Sequence, residues 1–240
     1  GLTAARLAAD GATGPDTILE GTYGLFQLFT DHEPDTGSIT ADLGSRWEAE
    51  RITIKPYPVC QLTHATLDAA ATLPDVDPAH IESIRIHLPA GSIPIVAEPL
   101  SDKLHPTSTY DAKFSAQWDV AALLIDGSIG VDTFTADGIA RGDVRRLAQR
   151  VTVVETSHDG VPASAPGRIE LTTTSGVRHV GTVARSHGTP ELPLDGAALA
   201  AKLALNMGST ARAGALLETL ADEDRPAADI VASTREVAAV

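Results

Sequence analysis

The stretch KPYPVCQLTH, residues 55–64, gathers an ammonium, a phenol, a thiol and an imidazole on a segment braced by two prolines. Pro56 and Pro58 restrict the backbone that follows Lys55, so groups held there have little conformational entropy left to lose. The Lys55 ammonium can anchor a substrate carboxylate, or act as an acid or base if burial lowers its pKa. His64 and Asp68 are spaced i, i+4 and share a helix face, which lets the carboxylate orient the imidazole. Cys60, four residues before His64, invites comparison with a thiol nucleophile. A buried structural cysteine is commoner, and no G-x-C or Q-A-C context activates it. The plain alternative is a solvated Lys55, a packed His64 and prolines that only punctuate the chain. No H-E-x-x-H or Cys/His cluster completes a metal site, and the glycines form no P-loop or dinucleotide fingerprint. Neither a metal nor a nucleotide cofactor is expected.

These groups need elements to position them. RITIKPYP alternates Ile52 and Ile54 and stops at the prolines, which reads as a strand leading into the site. LTHATLDAAATL follows as a helix with Leu62, Ala65, Ala69 and Leu73 on one face. IESIRIHL sets Ile84, Ile86 and Leu88 against Arg85 and His87, as a half-buried strand does. AKFSAQWDVAALLIDG is a helix with Phe114, Trp118, Ala121 and Ile125 as its stripe and Gly127 as its stop. DVRRLAQR continues as helix, VTVVE as strand, and RIELTTTSGVRHVGTV as a hairpin around Ser175–Gly176.

Residues 1–50 read as short helices, over LTAARLAADG, Thr17 to Phe29 and ITADLGSRW, separated by the turn-rich TDHEPDTGS. Residues 189–240 read as three amphipathic helical segments, the first with Leu199, Leu203 and Asn206 or Met207 along one face. The expected class is therefore α+β: a domain over 51–188 with a mainly antiparallel sheet, flanked by helical segments at 1–50 and 189–240. Short helices cannot bury both of their faces against one another, so residues 1–50 should lean on something outside themselves.

Composition narrows the function further. The net charge of −14 opposes non-specific attraction to nucleic acid or to anionic membranes. No apolar run approaches the ~20 residues needed to span a bilayer. The single cysteine excludes an internal disulfide and a self-contained cysteine-ligated iron–sulfur cluster, and fits a cytoplasmic location. The start has no signal-peptide pattern and no initiator methionine, as expected of a fragment or a processed chain.

Four stretches, in order, resemble the MmgE/PrpD family. GATGPDTILEGTYGLF is similar to its G-x-T-G-P…L-E-G segment, and IKPYPVCQLTHATLDAA to its K-x-Y-P-x-C…H…D-A signature. DAKFSAQWDVAALLIDG is similar to its A-K-F-S…Y…V-A…L-x-D-G helix, and HGTPELPLDGAALAAKL to its late G-x-P-x-x-P-L…K-x segment. The resemblance implies a large helical domain with a smaller α+β lid inserted in it, the lid covering about 51–188. It also implies that this chain corresponds to the C-terminal half. An N-terminal half, in the same polypeptide or in a separate subunit, would carry the histidine and aspartate usually assigned to catalysis, and a homo- or hetero-oligomer is expected.

The activity implied is that of a lyase working on a small polycarboxylate without metal, iron–sulfur cluster or other cofactor. Proton abstraction next to a carboxylate would be followed by loss of water or carbon dioxide, or by reprotonation. Lys55 would contribute from the lid side, with His64 supporting or lining the site, and Tyr57, Cys60, Lys113 and Trp118 completing the substrate-binding set. Trp118 stands where family helices commonly carry a tyrosine, and an indole donates one hydrogen bond and accepts none. Besides a dehydratase or decarboxylase, the same carbanion chemistry fits an isomerase or epimerase. A module retained for subunit interaction is the non-enzymatic alternative.

Overall fold

Alternation over residues 84–88 directs Ile84, Ile86 and Leu88 to one side, and these three and Ile81, which precedes a register shift, are buried in the computed structural model, which describes residues 1–31, 35–222 and 224–235. This strand, β1 (Ile81–Pro89), is central to a four-stranded sheet that also contains β2 (Val151–Thr156), β3 (Gly167–Thr173) and β4 (Arg178–Val183), in the order β2-β1-β3-β4. β1 pairs antiparallel with β3, placing Arg85 opposite Glu170, and β3 pairs antiparallel with β4. β1 and β2 are parallel, with Ile84 opposite Val151. A parallel pair needs a crossover, and helices Ala116–Asp126 and Gly142–Ala148 lie between the two strands in the chain. The fold is thus α+β, with a mixed sheet that is mostly antiparallel.

Helices Gln61–Ala71 and Ala116–Asp126 pack on each other, and the first also packs on β3 and β4. The contact of helix Gln61–Ala71 with the sheet is close. A Cβ on Gly167 would lie 1.8 Å from the Ala65 carbonyl oxygen, and one on Gly181 would lie 2.1 Å from that of Ala69. Leu67, Ile84, Ile86, Val120, Ile169 and Leu171 fill the space between. Helix Ala116–Asp126 begins at a Ser115 cap, whose hydroxyl accepts from Trp118 N, and ends at left-handed Gly127, as its sequence predicts. The other face of the sheet carries Arg85, His87, Arg168 and Arg178 around Glu170.

Three expectations are corrected. The segment 52–55 is not a strand: residues Glu48–Arg51 form a 3-10 turn and the chain then runs irregularly into the prolines. Among the described residues the two alternating isoleucines find no strand partner; Ile52 is 61% exposed, and Ile54 N donates to Gly188 O at 2.8 Å. Thr17 to Phe29 is not one helix but a set of turns followed by Leu25–Phe29, because Gly21 and Gly24 interrupt it and Leu25 N bonds back to Ile18 O. The helix expected in ITADLGSRW ends at Thr40, having begun at Thr36, and Asp42 and Gly44 take positive φ beyond it.

The chain divides into two compact units, Gly1–Glu50 and Arg51–Val240. In the first, helices Leu2–Ala9, Leu25–Phe29 and Thr36–Thr40 bury no apolar side chain among the described residues. In the second, helices Gly196–Met207, Thr210–Ala221 and Ala227–Arg235 follow the sheet domain; Leu199, Leu203 and Met207 are half-buried and Asn206 is exposed. His32, within the expected loop, and the end of the last predicted helical segment lie outside the described residues.

Candidate functional site

Helix Gln61–Ala71 starts where the proline-braced chain is extended at Cys60. Two bonds fasten that start: Cys60 N donates to Lys113 O (2.9 Å), and Thr63 Oγ1 donates to Cys60 O (2.9 Å). The Cys60 thiol is free and half-buried. Lys55 Nζ folds back to donate to Val59 O at 2.9 Å, and His64 Nε2 lies 3.4 Å from the same oxygen. Lys55 and His64, singled out from their spacing, therefore meet at one carbonyl.

His64 is fully buried, edge-on to Tyr57 with ring centroids 5.5 Å apart. Burial drives its pKa down to about 4; the Val59 carbonyl opposes this and the Lys55 charge adds to it. At neutral pH the ring is uncharged, and its Nδ1 has no hydrogen-bond partner among the described residues. The enclosed imidazole is held by packing, with Tyr57 against it.

The Asp68 carboxylate does not hydrogen-bond to His64, contrary to the i, i+4 expectation. Its Oδ1 accepts from the Tyr57 hydroxyl at 2.8 Å, and its Oδ2 accepts from the His187 backbone N–H at 2.7 Å. Burial and the Asp68 charge hold the Tyr57 phenol well above its ordinary pKa, so it remains a donor. Asp68 Oδ2 also lies 3.4 Å from His187 Nδ1. His187 is one of 8 histidines spread along the sequence, and what places it here is the turn that follows. Gly188 has φ +84°, accepts from Ile54 N through its carbonyl, and approaches the Ile54 oxygen so closely that a Cβ would sit 1.9 Å from it. That contact lays His187 beside the segment carrying Lys55. A small cavity of about 190 Å³ adjoins it, lined by Thr53, Gln61, Arg185 and Ser186 among others.

The remaining candidates lie around Phe134. Trp118 is 1% exposed and packs on Phe134 at 5.6 Å, with its Nε1 unpaired among the described residues. Lys113 is half-buried with Nζ 5.4 Å from the Phe134 ring centre, a cation–π distance. Beside Trp118, Asp119 is fully buried, and burial pushes its carboxyl far above the usual range. The Thr63 hydroxyl and the Lys103 ammonium oppose that shift without cancelling it. The Thr63 proton goes to Cys60 O, and neither Asp119 oxygen has a hydrogen-bond partner among the described residues.

Lys103 donates to Ile95 O at 2.7 Å and borders a cavity of about 440 Å³ with His105, Tyr110 and Phe114. Burial lowers its pKa. Among the described residues no group of three or more His, Cys, Asp or Glu side chains could hold a metal ion, and no helix is long and apolar enough to cross a membrane.

The chain is 27% identical to human (Homo sapiens) cis-aconitate decarboxylase over 168 residues, covering 68% of this chain and 34% of that protein. It is 30% identical to the Mus musculus cis-aconitate decarboxylase over 163 residues, covering 63% and 31%. The chain thus spans about a third of the length of these curated relatives. Residues 57–221 match the MmgE/PrpD C-terminal domain, a stretch that runs from Tyr57 through His64, Asp68, Trp118 and His187. This chain belongs to the MmgE/PrpD family.

Proposed function

We propose that this chain is the C-terminal part of a lyase that acts on a small polycarboxylate, using Lys55 as the carboxylate anchor or acid/base group. One observation carries the reading. The Lys55 ammonium, Tyr57, His64, Asp68 and His187 gather along the first turns of one helix in a chain whose relatives include cis-aconitate decarboxylases. A fixed cation there stabilises the negative charge that develops on a carboxylate when the neighbouring carbon loses a proton or carbon dioxide. The reaction is taken to need no metal or other cofactor, on the strength of the family resemblance.

In this reading residues 51–188 are the lid, and the helical segments 1–50 and 189–240 belong to a helical domain completed by an N-terminal half. The apolar side chains exposed in residues 1–50 support such a partner: Leu2, Tyr23, Phe29 and Leu43 are each at least 75% exposed. The same polypeptide or a second subunit would supply it, and the assembly would be oligomeric.

Lys55→Ala in the complete polypeptide should lower turnover at least ~10-fold, since a charge-stabilising donor is worth more than that elsewhere. Cis-aconitate and related polycarboxylates would be the substrates, with released carbon dioxide and double-bond absorbance as readouts. An unchanged steady-state rate removes Lys55 from the site. Retained exchange of the substrate proton without elimination would favour the isomerase reading. A complete assembly inert to every polycarboxylate would favour an interaction module.

A further inference from the structure

We infer that the cavity beside the Lys55 segment is a second carboxylate subsite, with Arg185 as the anchor for the substrate carboxylate that Lys55 does not hold. The inference rests on the lyase reading and deepens it: a polycarboxylate presents separated charges, and one ammonium cannot meet both ends. The cavity measures about 190 Å³, below the ~300–1,000 Å³ of pockets that enclose a drug-sized ligand, which suits one arm of a small acid. Its place ties it to Lys55. Gln61, which borders it, is the first residue of the helix whose preceding turn holds the Lys55 ammonium at Val59 O. Thr53, on its wall, is two residues from Lys55, at most ~7 Å of extended chain.

The polar groups on the wall have donors to spare. Ser186 is 3% exposed and its Oγ is 3.4 Å from Gln61 Nε2, while Gln61 Oε1 is enclosed with no hydrogen-bond partner among the described residues. With Nε2 donating to Ser186 Oγ, the Ser186 proton is left over. With the amide turned over, Ser186 donates to Oε1 and the Gln61 NH2 is left over. Either way an enclosed donor remains for a ligand oxygen, and Thr53 carries another hydroxyl on the same wall. Arg185 supplies the charge. It borders the cavity with Glu191, whose carboxylate is 4.0 Å away, too far for a hydrogen bond, and both side chains are about half exposed. Glu191 is the ligand's competitor. A substrate carboxylate that accepts from the guanidinium fork replaces this loose pair with a bidentate one.

The chain itself allows the first test. Tricarballylate, a saturated tricarboxylate, titrated at constant ionic strength and followed by ¹H–¹⁵N NMR, should shift the amides of Thr53, Gln61, Arg185 and Ser186 with saturation. Arg185→Gln, at a half-exposed position that leaves the core untouched, should weaken this binding ~10-fold or more, the worth of a hydrogen-bonded charge, and Glu191→Gln should tighten it. Equal shifts with chloride, or none at these residues, overturn the subsite. The second test uses the complete polypeptide. Arg185→Gln should raise KM for cis-aconitate ~10-fold or more with kcat little changed, because the contact is made in ground and transition states alike, whereas Lys55→Ala lowers kcat. If KM is unchanged in Arg185→Gln while Lys55→Ala still lowers turnover, the subsite is wrong and the lyase reading stands. If tricarballylate binds as described but no polycarboxylate is turned over, the subsite stands and the lyase reading fails.

Discussion

Residues 51–188 and residues 1–50 use similar apolar side chains to opposite effect. In the first, Leu67, Ile84, Ile86 and Ile169 have no exposed surface and Trp118 is 1% exposed. In the second, Leu2, Tyr23, Phe29 and Leu43 are 75–89% exposed. Hydrophobicity alone does not distinguish them. A sheet offers a continuous face, and two eleven-residue helices, Gln61–Ala71 and Ala116–Asp126, are long enough to cover it. Helices of five to eight residues separated by glycine turns offer no comparable layer. The candidate site belongs to the well-packed region, where Asp68 and the close helix–sheet contact hold its groups still.

Stability measurements can sharpen or break this contrast. The largest loss is expected for Trp118→Ala, ~3–5 kcal/mol for truncating a buried aromatic, read as a shift in the urea midpoint. A loss below ~1 kcal/mol would mean the layer around Trp118 relaxes freely.

Next comes acid sensitivity rooted in His64. Its folded pKa of about 4 lies below the ordinary 6.5, so between those values the unfolded chain binds a proton that the folded chain refuses. Stability should therefore fall as pH drops from 6.5 toward 4, by on the order of 3 kcal/mol from this group. His64→Gln should flatten that part of the curve, and an unchanged slope would show that water reaches His64.

A smaller acid effect should come from Glu170. Hydrogen bonding from Arg168 leads a set of arginine contacts that lower its pKa from 4.5 to about 2. Its contribution is present above pH 4.5 and is lost as pH falls toward 2, and the half-exposed arginines keep it modest. Glu170→Gln should remove this lowest-pH component alone. Smallest of all, Phe29→Ala in the isolated chain should change stability by no more than ~0.5 kcal/mol. A loss comparable to that at Trp118 would mean Phe29 is covered in solution, and the contrast between the two regions would fail.

The parts of the fold that could be read directly are those whose signal repeats along the chain. The isoleucines of β1 alternate, the hairpin arms flank Ser175–Gly176, and the helix Ala116–Asp126 has its Ser115 cap and Gly127 stop nearby in sequence. The candidate site was legible to the same extent. Lys55 and His64 do meet, because the prolines and the helix start between them are local. Periodicity failed where a partner was required: Ile52 and Ile54 alternate like a strand, yet among the described residues no neighbouring strand receives them.

By itself, then, the sequence determined the family, the main helices and strands, and the proline-braced turn that carries Lys55. Only the tertiary structure decided that β2 lies parallel to β1, that His64 is enclosed and uncharged, and that Asp68 turns from His64 toward Tyr57 and His187. The physical reason is distance along the chain. Dihedral preferences and amphipathic spacing are set by near neighbours, whereas burial and charge pairing depend on what arrives from elsewhere. His187 is 119 residues from Asp68, and packing alone brings the two together.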